Sequence, residues 1–224
     1  MNLIEQIIIA LTDSNIPLQD TLLKLKIFAQ KINNAELLNL VNSELEGYDK
    51  NPVPNYRIIQ NPIIGSAANR ASQYKNINLP VMHLDKDLRE LIGTCEMNQS
   101  VATLEEFLNI NDNDFSLHKT IPPEFFTLLS QGFQSSHQVY SAKMPISKGD
   151  IRGILTRVRS ALLDIMMQVE KSISSDCSIQ LFKDTDNKTI NEINNIVNNN
   201  IQNIFTSKDE SVQNIKIEQE TQSK

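Results

Sequence analysis

Apolar positions near the start of the chain recur at the three-and-four spacing of amphipathic helices and predict three short helices. The first runs from Leu3 to Leu11 and ends at the polar stretch TDSN. The second begins after Pro17, where a missing N–H costs least, and breaks at two asparagines. Asn34 can cap the third, AELLNLVNSELEGY. Because the connections are short, we expect the three helices to pack as an antiparallel cluster.

The stretch ELEGYDKNPVPNYR predicts a sharp corner after the third helix. Gly47 lies where a helix end needs a residue with positive φ. Tyr48 is expected to pack back on the last helical turn near Glu44 or Leu45, as in a Schellman motif. The Pro-x-Pro that follows forces extended backbone, so NYRIIQNPIIG is expected to continue as a strand. Tyr56 and Arg57 are interpreted either as part of this structural corner or as an exposed contact pair.

The middle of the chain mixes short helix and strand patterns. Residues 65–81 are small and polar and are expected to form a surface loop. Helices are expected after Asp85 or Asp87 and after Ser100, since each of these residues can cap a first turn. FSLHKTI and QSSHQVYSAKMPI read as short strands, with a helix between them. The pattern predicts the α+β class, predominantly helical with a few short strands.

The clearest predicted element is the long helix SKGDIRGILTRVRSALLDIMMQVEKSI. Ser147 and Asp150 resemble a capping box, and a broad apolar face predicts the central helix of the core. We expect a domain of residues 1–173 followed by an Asn-rich tail of residues 174–224. Ile and Val in the tail keep an approximate heptad spacing, which predicts an amphipathic helix over 188–206. This helix could pack on its own domain or on a second copy, and oligomerisation is the role we predict for it.

Composition narrows the function classes. The 224 residues are 40% hydrophobic and 21% charged, which is a soluble globular balance. The net charge of −6 argues against general coating of nucleic acid, although a local basic patch stays open. The first residues lack the basic region and cleavage site of a signal peptide, and no stretch has the length and hydrophobicity of a membrane span. A cytoplasmic location is expected, and the two distant cysteines predict reduced thiols.

Residue patterns of catalysis or metal binding are not found in the sequence. His83, His118 and His137 make no HxxxH or HExxH spacing, so no metal site is predicted. Neighbouring acids such as Glu44 and Glu46 are interpreted as solvated faces and helix caps instead of an acid–base pair. No phosphate-binding glycine loop and no Arg–His spacing of helical ribonucleases occurs. We expect neither catalytic residues nor a cofactor.

Basic residues concentrate on the long helix. Arg152 and Arg159 are seven positions apart and so share a face beside the apolar stripe. They could bind phosphate or the acids of a partner. The preferred interpretation is pairing with the chain's own carboxylates, for example Glu44, Glu46 or Asp164. The candidate contact residues are Tyr48, Tyr56, Arg57, Arg152 and Arg159.

Four sequence pieces occur in an order that resembles the AbiTii family. They are a Pro-Leu helix from Pro17 to Ala29, the motif E-L-x-G-Y that ends the stretch Glu36–Tyr48, the motif P-x-Y-R at Pro54–Arg57, and I-x-G-I-L-x-x-V-R-x-x-L-L-D at Ile151–Asp164. The resemblance covers about residues 1–173. It implies a role in bacterial abortive infection, a defence against phage, and it carries over no catalytic residue.

The pattern and the resemblance together lead to two main hypotheses. The preferred one is a non-enzymatic interaction and oligomerisation module, a homo-oligomer that recognises a phage-derived or defence-system protein. The alternative is a nucleic-acid-acting toxin, either a cryptic nuclease or a translation blocker, with the Arg152–Arg159 helix on the phosphate backbone. Nucleic-acid binding that weakens steeply with salt would discriminate between them. A third hypothesis, one subunit of an obligate hetero-complex, predicts poor solubility when the chain is expressed alone.

Overall fold

A computed structural model describes residues 2–49, 51–111, 115–134, 136–173 and 187–206. The predicted α+β class is confirmed: among the described residues, helices come first and last along the chain and a few short strands lie between them. The helices are α1 (Leu3–Thr12), α2 (Leu18–Lys31), α3 (Ala35–Glu46), α4 (Lys86–Gly93), α5 (Val101–Asn109), α6 (Phe126–Ser130), α7 (Lys148–Ser172) and α8 (Asn187–Thr206). The strands are β1 (Ile58–Gln60), β2 (Ile64–Ala68), β3 (Gln73–Asn78), β4 (Thr94–Glu96), β5 (Leu117–Thr120) and β6 (Gln138–Ile146).

The chain divides into two compact units, and the first is helical. It comprises Met1–Arg57, Asn98–Glu105 and Ile154–Lys224. The caps that start its N-terminal helices are local: Asn2 and Glu5 form a capping box at α1, and Asn34 Oδ1 accepts the Leu37 N–H at 2.8 Å. The apolar faces of α1, α2 and α3 pack as the predicted cluster. Their fully buried side chains include Ile7, Leu18, Leu22, Leu25, Phe28, Leu37 and Val41.

The long helix α7 begins as predicted. The Ser147 N–H donates to Asp150 Oδ2 at 2.7 Å, and the Asp150 N–H donates to Ser147 Oγ at 3.2 Å, which completes the capping box. The predicted apolar stripe is buried along its length. Its buried members are Ile151, Ile154, Leu155, Val158, Leu162, Ile165, Met166 and Val169.

The helix predicted in the Asn-rich tail is present as α8 and belongs to the first unit. Its seam of Ile193, Val197 and Ile201 is buried. Polar contacts add to the seam, because Asn34 Nδ2 donates to Asn194 Oδ1 at 3.0 Å and to Asn198 Oδ1 at 2.8 Å. The seam therefore packs within its own chain, and a further role of α8 in oligomerisation stays a prediction.

The second unit, Ile58–Met97 and Glu106–Gly153, holds both antiparallel sheets of the described residues. One sheet pairs β1 with β4, and the other has the strand order β3-β2-β6-β5. Its core joins strand and helix side chains. These include Ile63, Ala67, Leu79, Ile92, Ile121, Leu129, Val139 and Ala142.

The prediction of a surface loop over residues 65–81 is wrong, because most of this stretch forms the hairpin of β2 and β3. Its small residues allow close strand packing: a Cβ added at Gly65 would lie 2.2 Å from the Ser141 backbone oxygen in β6. Asn69 Oδ1 accepts the Ala71 and Ser72 N–H groups and closes the turn. The small residues of β2 therefore allow the backbone of β6 to approach closely, and they do not indicate a loop.

Candidate functional site

The corner after α3 is closed by a contact from a distant segment. Gly47 has φ +102°, as predicted, and its N–H donates to Ser43 O at 2.8 Å to end the helix. The Tyr48 N–H does not return to the helix as a Schellman motif requires, since it donates to Asn98 O at 2.8 Å. A Cβ at Gly47 would lie 2.9 Å from that same Asn98 oxygen. Glycine is therefore required here both for its φ and for the close approach.

The side chains around this corner converge on one carboxylate. Glu44 Oε1 accepts the Tyr48 hydroxyl at 2.7 Å, the Tyr56 hydroxyl at 2.8 Å and Arg57 Nε at 3.1 Å. Arg57 Nη2 forms an ion pair with Glu44 Oε2. The third guanidinium nitrogen, Nη1, donates to Gln99 O at 2.7 Å. We call Glu44, Tyr48, Tyr56 and Arg57 the corner network.

Burial sets the electrostatics of the corner network. The side chains of Glu44 and Arg57 are 0% exposed, so their charges rely on each other. Burial, followed by the negative charge of Glu44, raises the pKa of both tyrosines, Tyr48 and Tyr56, above the ordinary value of 10.0. Burial by itself would lower the pKa of the Arg57 guanidinium. The hydrogen bonds and the negative charge of Glu44 outweigh burial, so the pKa is raised. At neutral pH the network thus holds one ion pair and two neutral phenols.

The corner network explains what its residues do in the fold. Four donors from three side chains occupy one carboxylate, which satisfies a buried charge. The Arg57 guanidinium also lies over the Tyr48 ring, 4.9 Å from its centroid. The end of α3, the segment before β1 and the backbone at Gln99 are joined by these contacts. The arrangement is suited to holding three chain segments together.

Alkaline pH should weaken the first unit through these tyrosines. The pKa of each tyrosine is higher in the folded state than in the unfolded state. Its contribution to the free energy of unfolding is therefore fully present below a pH of about 10 and is lost as the pH rises through and beyond that value. We expect the free energy of unfolding to fall above pH 10 by up to about 1.4 kcal/mol per pH unit for each tyrosine. Urea unfolding between pH 8 and 11 measures this slope, which Tyr48→Phe should reduce and the exposed control Tyr140→Phe should not. Equal slopes in all three proteins would contradict the assignment.

The structure brings together three of the five predicted contact residues, Tyr48, Tyr56 and Arg57. Tyr48 and Arg57 are buried and Tyr56 is half-buried, so they do not form an exposed pair. Arg152 is exposed and lies in the part of α7 that belongs to the second unit. Contact of any of these side chains with another molecule stays a prediction.

Arg159 binds backbone carbonyls of its own chain. Its Nη1 donates to Ala10 O at 3.0 Å and Asp13 O at 3.3 Å, and its Nη2 donates to Ile16 O. These acceptors lie at the end of α1 and in the turn after it, where helical carbonyls lack intrahelical partners. Burial lowers the pKa of this guanidinium. The predicted pairing within the chain is therefore present, but to carbonyls instead of carboxylates.

Sequence reasoning missed the burial of Glu44, which it had placed with Glu46 on a solvated helix face. Glu44 is 0% exposed, whereas Glu46 is exposed. A local signal was present, since Glu44 and Tyr48 are four positions apart and face the same way at a helix end. The partner Arg57 could not be inferred in this way, because it lies beyond the prolines.

A serine–histidine contact in the second unit was also missed. Ser72 Oγ lies 2.9 Å from His137 Nε2, and Asn69 Nδ2 lies 3.4 Å from His137 Nδ1. Because Asn69 Oδ1 accepts two backbone N–H groups, its amide nitrogen is the atom that faces the ring. Nδ1 then accepts and Nε2 carries the proton, so the imidazole donates to Ser72 and cannot take its proton. The cluster stabilises the β2–β3 turn.

A cavity of about 490 Å³ lies in the second unit near the start of α7. Its lining includes His118, Lys143 and Lys148, a basic set that could attract an anion. However, Lys148 Nζ already donates to Ile110 O, and the Asp150 carboxylate already caps this helix end. Within the described residues, no group of three or more His, Cys, Asp or Glu side chains could hold a metal ion.

Two exposed apolar side chains lie one turn apart on α2. Leu23 is 49% exposed and Ile27 is 48% exposed. Their spacing of four places them on the same helix face, opposite the buried face that contains Leu22, Leu25 and Phe28. We call Leu23 and Ile27 the α2 patch.

Comparison with known proteins identifies one match. The sequence model of the family described as AbiTii matches residues 2–195, which is most of the chain. This match begins at Asn2, the residue that caps α1, and reaches into α8, beyond the predicted domain end at residue 173. No curated protein and no solved structure matches the chain. None of the described helices is long and apolar enough to cross a membrane.

Proposed function

The chain belongs to the AbiTii family, which indicates a role in abortive-infection defence, and from this premise we propose that it acts there as a non-enzymatic interaction module. Such a module recognises a phage-derived or defence-system protein and assembles into homo-oligomers in the cytoplasm. The observation that carries the proposal is the corner network. The motif residues Glu44, Tyr48, Tyr56 and Arg57 are engaged with one another, which supports a scaffold role for them.

If the motif residues are scaffold, contact with other molecules must use the surface. The α2 patch supports this step, because two adjacent apolar side chains remain about half exposed. Lys24, Lys26 and Lys31 surround the patch in the helix sequence. Apolar anchors with a charged border are typical of protein contact surfaces. We therefore assign protein contact and self-association to this face of α2.

Charge introduced into the α2 patch should abolish association while leaving the fold intact. Leu23→Glu with Ile27→Glu places two carboxylates where an apolar contact is proposed, and exposed substitutions usually change stability by less than about 0.5 kcal/mol. We expect the mass from light scattering to fall to that of one chain and phage protection in a plaque assay to be lost. Gln131→Glu with Gln138→Glu adds the same two charges at exposed positions of the second unit, outside this face of α2, and is the matched control.

A binding assay on the wild type and on Arg152→Ala tests the nucleic-acid alternative. Arg159 is already bound to three carbonyls, which favours the interaction module over a phosphate-binding Arg152–Arg159 face. Fluorescence anisotropy with labelled RNA and DNA should show no binding at physiological salt. Salt-sensitive binding that Arg152→Ala weakens would instead support a nucleic-acid function. An unchanged mass and unchanged protection in the α2 patch variant would contradict the proposed surface.

A further inference from the structure

A second feature of the first unit is a cavity of about 410 Å³ between α3 and the last turn of α8. Its apolar lining comes from Leu40, Tyr48, Pro52, Ile201 and Phe205. The volume lies within the range of about 300–1,000 Å³ that is usual for small-molecule sites, and a mostly apolar lining is also typical of them. The cavity is distinct from the α2 patch, so an inference from it does not depend on the proposed function.

The aromatic rings define the shape that the cavity fits. Tyr48 and Phe205 both line it, and aromatic rings pack well against flat ring systems. The ring of Tyr48 is held in place because its hydroxyl donates to Glu44 at 2.7 Å. Asn55 Nδ2 donates to Phe205 O at 3.2 Å, which fixes the backbone of the last turn of α8. The site is therefore built on positioned groups.

The polar lining defines the charge that the cavity fits. Among the described residues that line it, Glu36 is the one with a charged side chain. A carboxylate attracts a cation and repels phosphate or carboxylate groups. The carboxamides of Asn39 and Gln202 can both donate and accept hydrogen bonds, so they accommodate an N–H group. This combination selects against nucleotides and in favour of amines.

We propose that this cavity binds a cationic aromatic amine. Its flat apolar body packs against Leu40, Tyr48 and Phe205, and its ammonium group faces Glu36. Attraction between the cation and the Phe205 ring adds to binding, whereas the Tyr48 ring already carries the Arg57 guanidinium. A ligand seated here contacts both α3 and α8 and therefore stabilises the docking of α8. Because Tyr48 also belongs to the corner network, the ligand contacts the residues that join the three chain segments.

Tryptamine is the probe for this site, and indole-3-propionate is its matched anion of similar shape. We expect calorimetry on the full chain to show saturable binding of one tryptamine, with a dissociation constant of about 1 mM or below for a molecule of this size. Bound ligand should also raise the melting temperature in proportion to its concentration. The anion should bind at least about tenfold more weakly because it faces the Glu36 carboxylate.

Variants at the rim test the assignment without altering the core. Glu36→Gln should lower the affinity for tryptamine by about fivefold, which is the upper end of what an exposed ion pair contributes. It should also reduce the difference in affinity between tryptamine and indole-3-propionate. Asn39→Trp or Thr206→Trp, both at exposed positions, should block the cavity and abolish binding. Gln30→Trp, exposed on α2, should bind as the wild type does. No saturable binding of tryptamine, equal affinity for both probes, or unchanged binding in all rim variants would overturn the proposal.

Discussion

Arg57→Met should lower the free energy of unfolding by about 3–5 kcal/mol, the usual cost of removing one partner from a buried ion pair. The substitution keeps an apolar stem of similar length but leaves the Glu44 carboxylate with two tyrosine donors and no countercharge. The Gln99 carbonyl also loses its donor. Urea unfolding followed by circular dichroism at pH 7 measures the change. Lys31→Met, which removes an exposed positive charge from the same unit, should change stability by less than about 0.5 kcal/mol.

A double substitution separates the ion pair from packing. Glu44→Gln in the Arg57→Met background replaces the unpaired charge with an amide that still accepts the tyrosine hydroxyls. We expect it to recover part of the lost stability, so that the two changes are non-additive by about 1–3 kcal/mol. An Arg57→Met protein as stable as the Lys31→Met control would show that the corner network does not stabilise the fold as described.

Val197→Asp should detach α8 from the first unit. Val197 is 0% exposed, and a carboxylate at this position would be buried without a partner. Release of the helix is the less costly outcome, because α8 contains eight asparagines and holds its conformation through its docking surface. We expect hydrogen-exchange protection of the α8 amides to fall by about 30-fold or more, equivalent to a local loss of about 2 kcal/mol. Amides in α2 should keep their protection.

Asn199→Asp is the control for this change, since it adds the same charge at an exposed position of the same helix. Its α8 amides should stay protected, and equal protection in both variants would contradict the buried seam. Light scattering on the same samples bears on the predicted oligomerisation role of α8. If α8 also joins copies of the chain, its release lowers the mass, whereas an unchanged mass would count against that role.

Several elements follow from short-range chemistry and could be predicted. The ends of α3 and α7 are set by Gly47 and by the Ser147–Asp150 capping box, and Asn34 caps α3. Each of these contacts joins residues no more than four positions apart, so neighbouring letters in the sequence are enough to predict them. The apolar stripe of α7 was equally readable, because helical spacing determines which side chains share a face.

The hairpin of β2 and β3 could not be predicted in this way. Alternation of large apolar side chains, the usual sign of a strand, is lacking in residues such as Gly65 and Ala67. These residues are small because β6 approaches their backbone closely, and the partner segment of β6 lies more than 70 positions later. Local sequence does not contain that information.

Taken alone, the sequence determined the three N-terminal helices, the helix in the Asn-rich tail, the α+β class, the caps and the family resemblance, since these depend on composition, spacing and near neighbours. Only the tertiary structure decided which groups meet. It paired Glu44 with Arg57 across 13 positions and Arg159 with carbonyls up to 149 positions away, and it docked the seam of α8 within the first unit. The physical reason is that a buried charge or an apolar seam is satisfied by whichever segment the fold brings alongside it, and periodicity does not specify that segment.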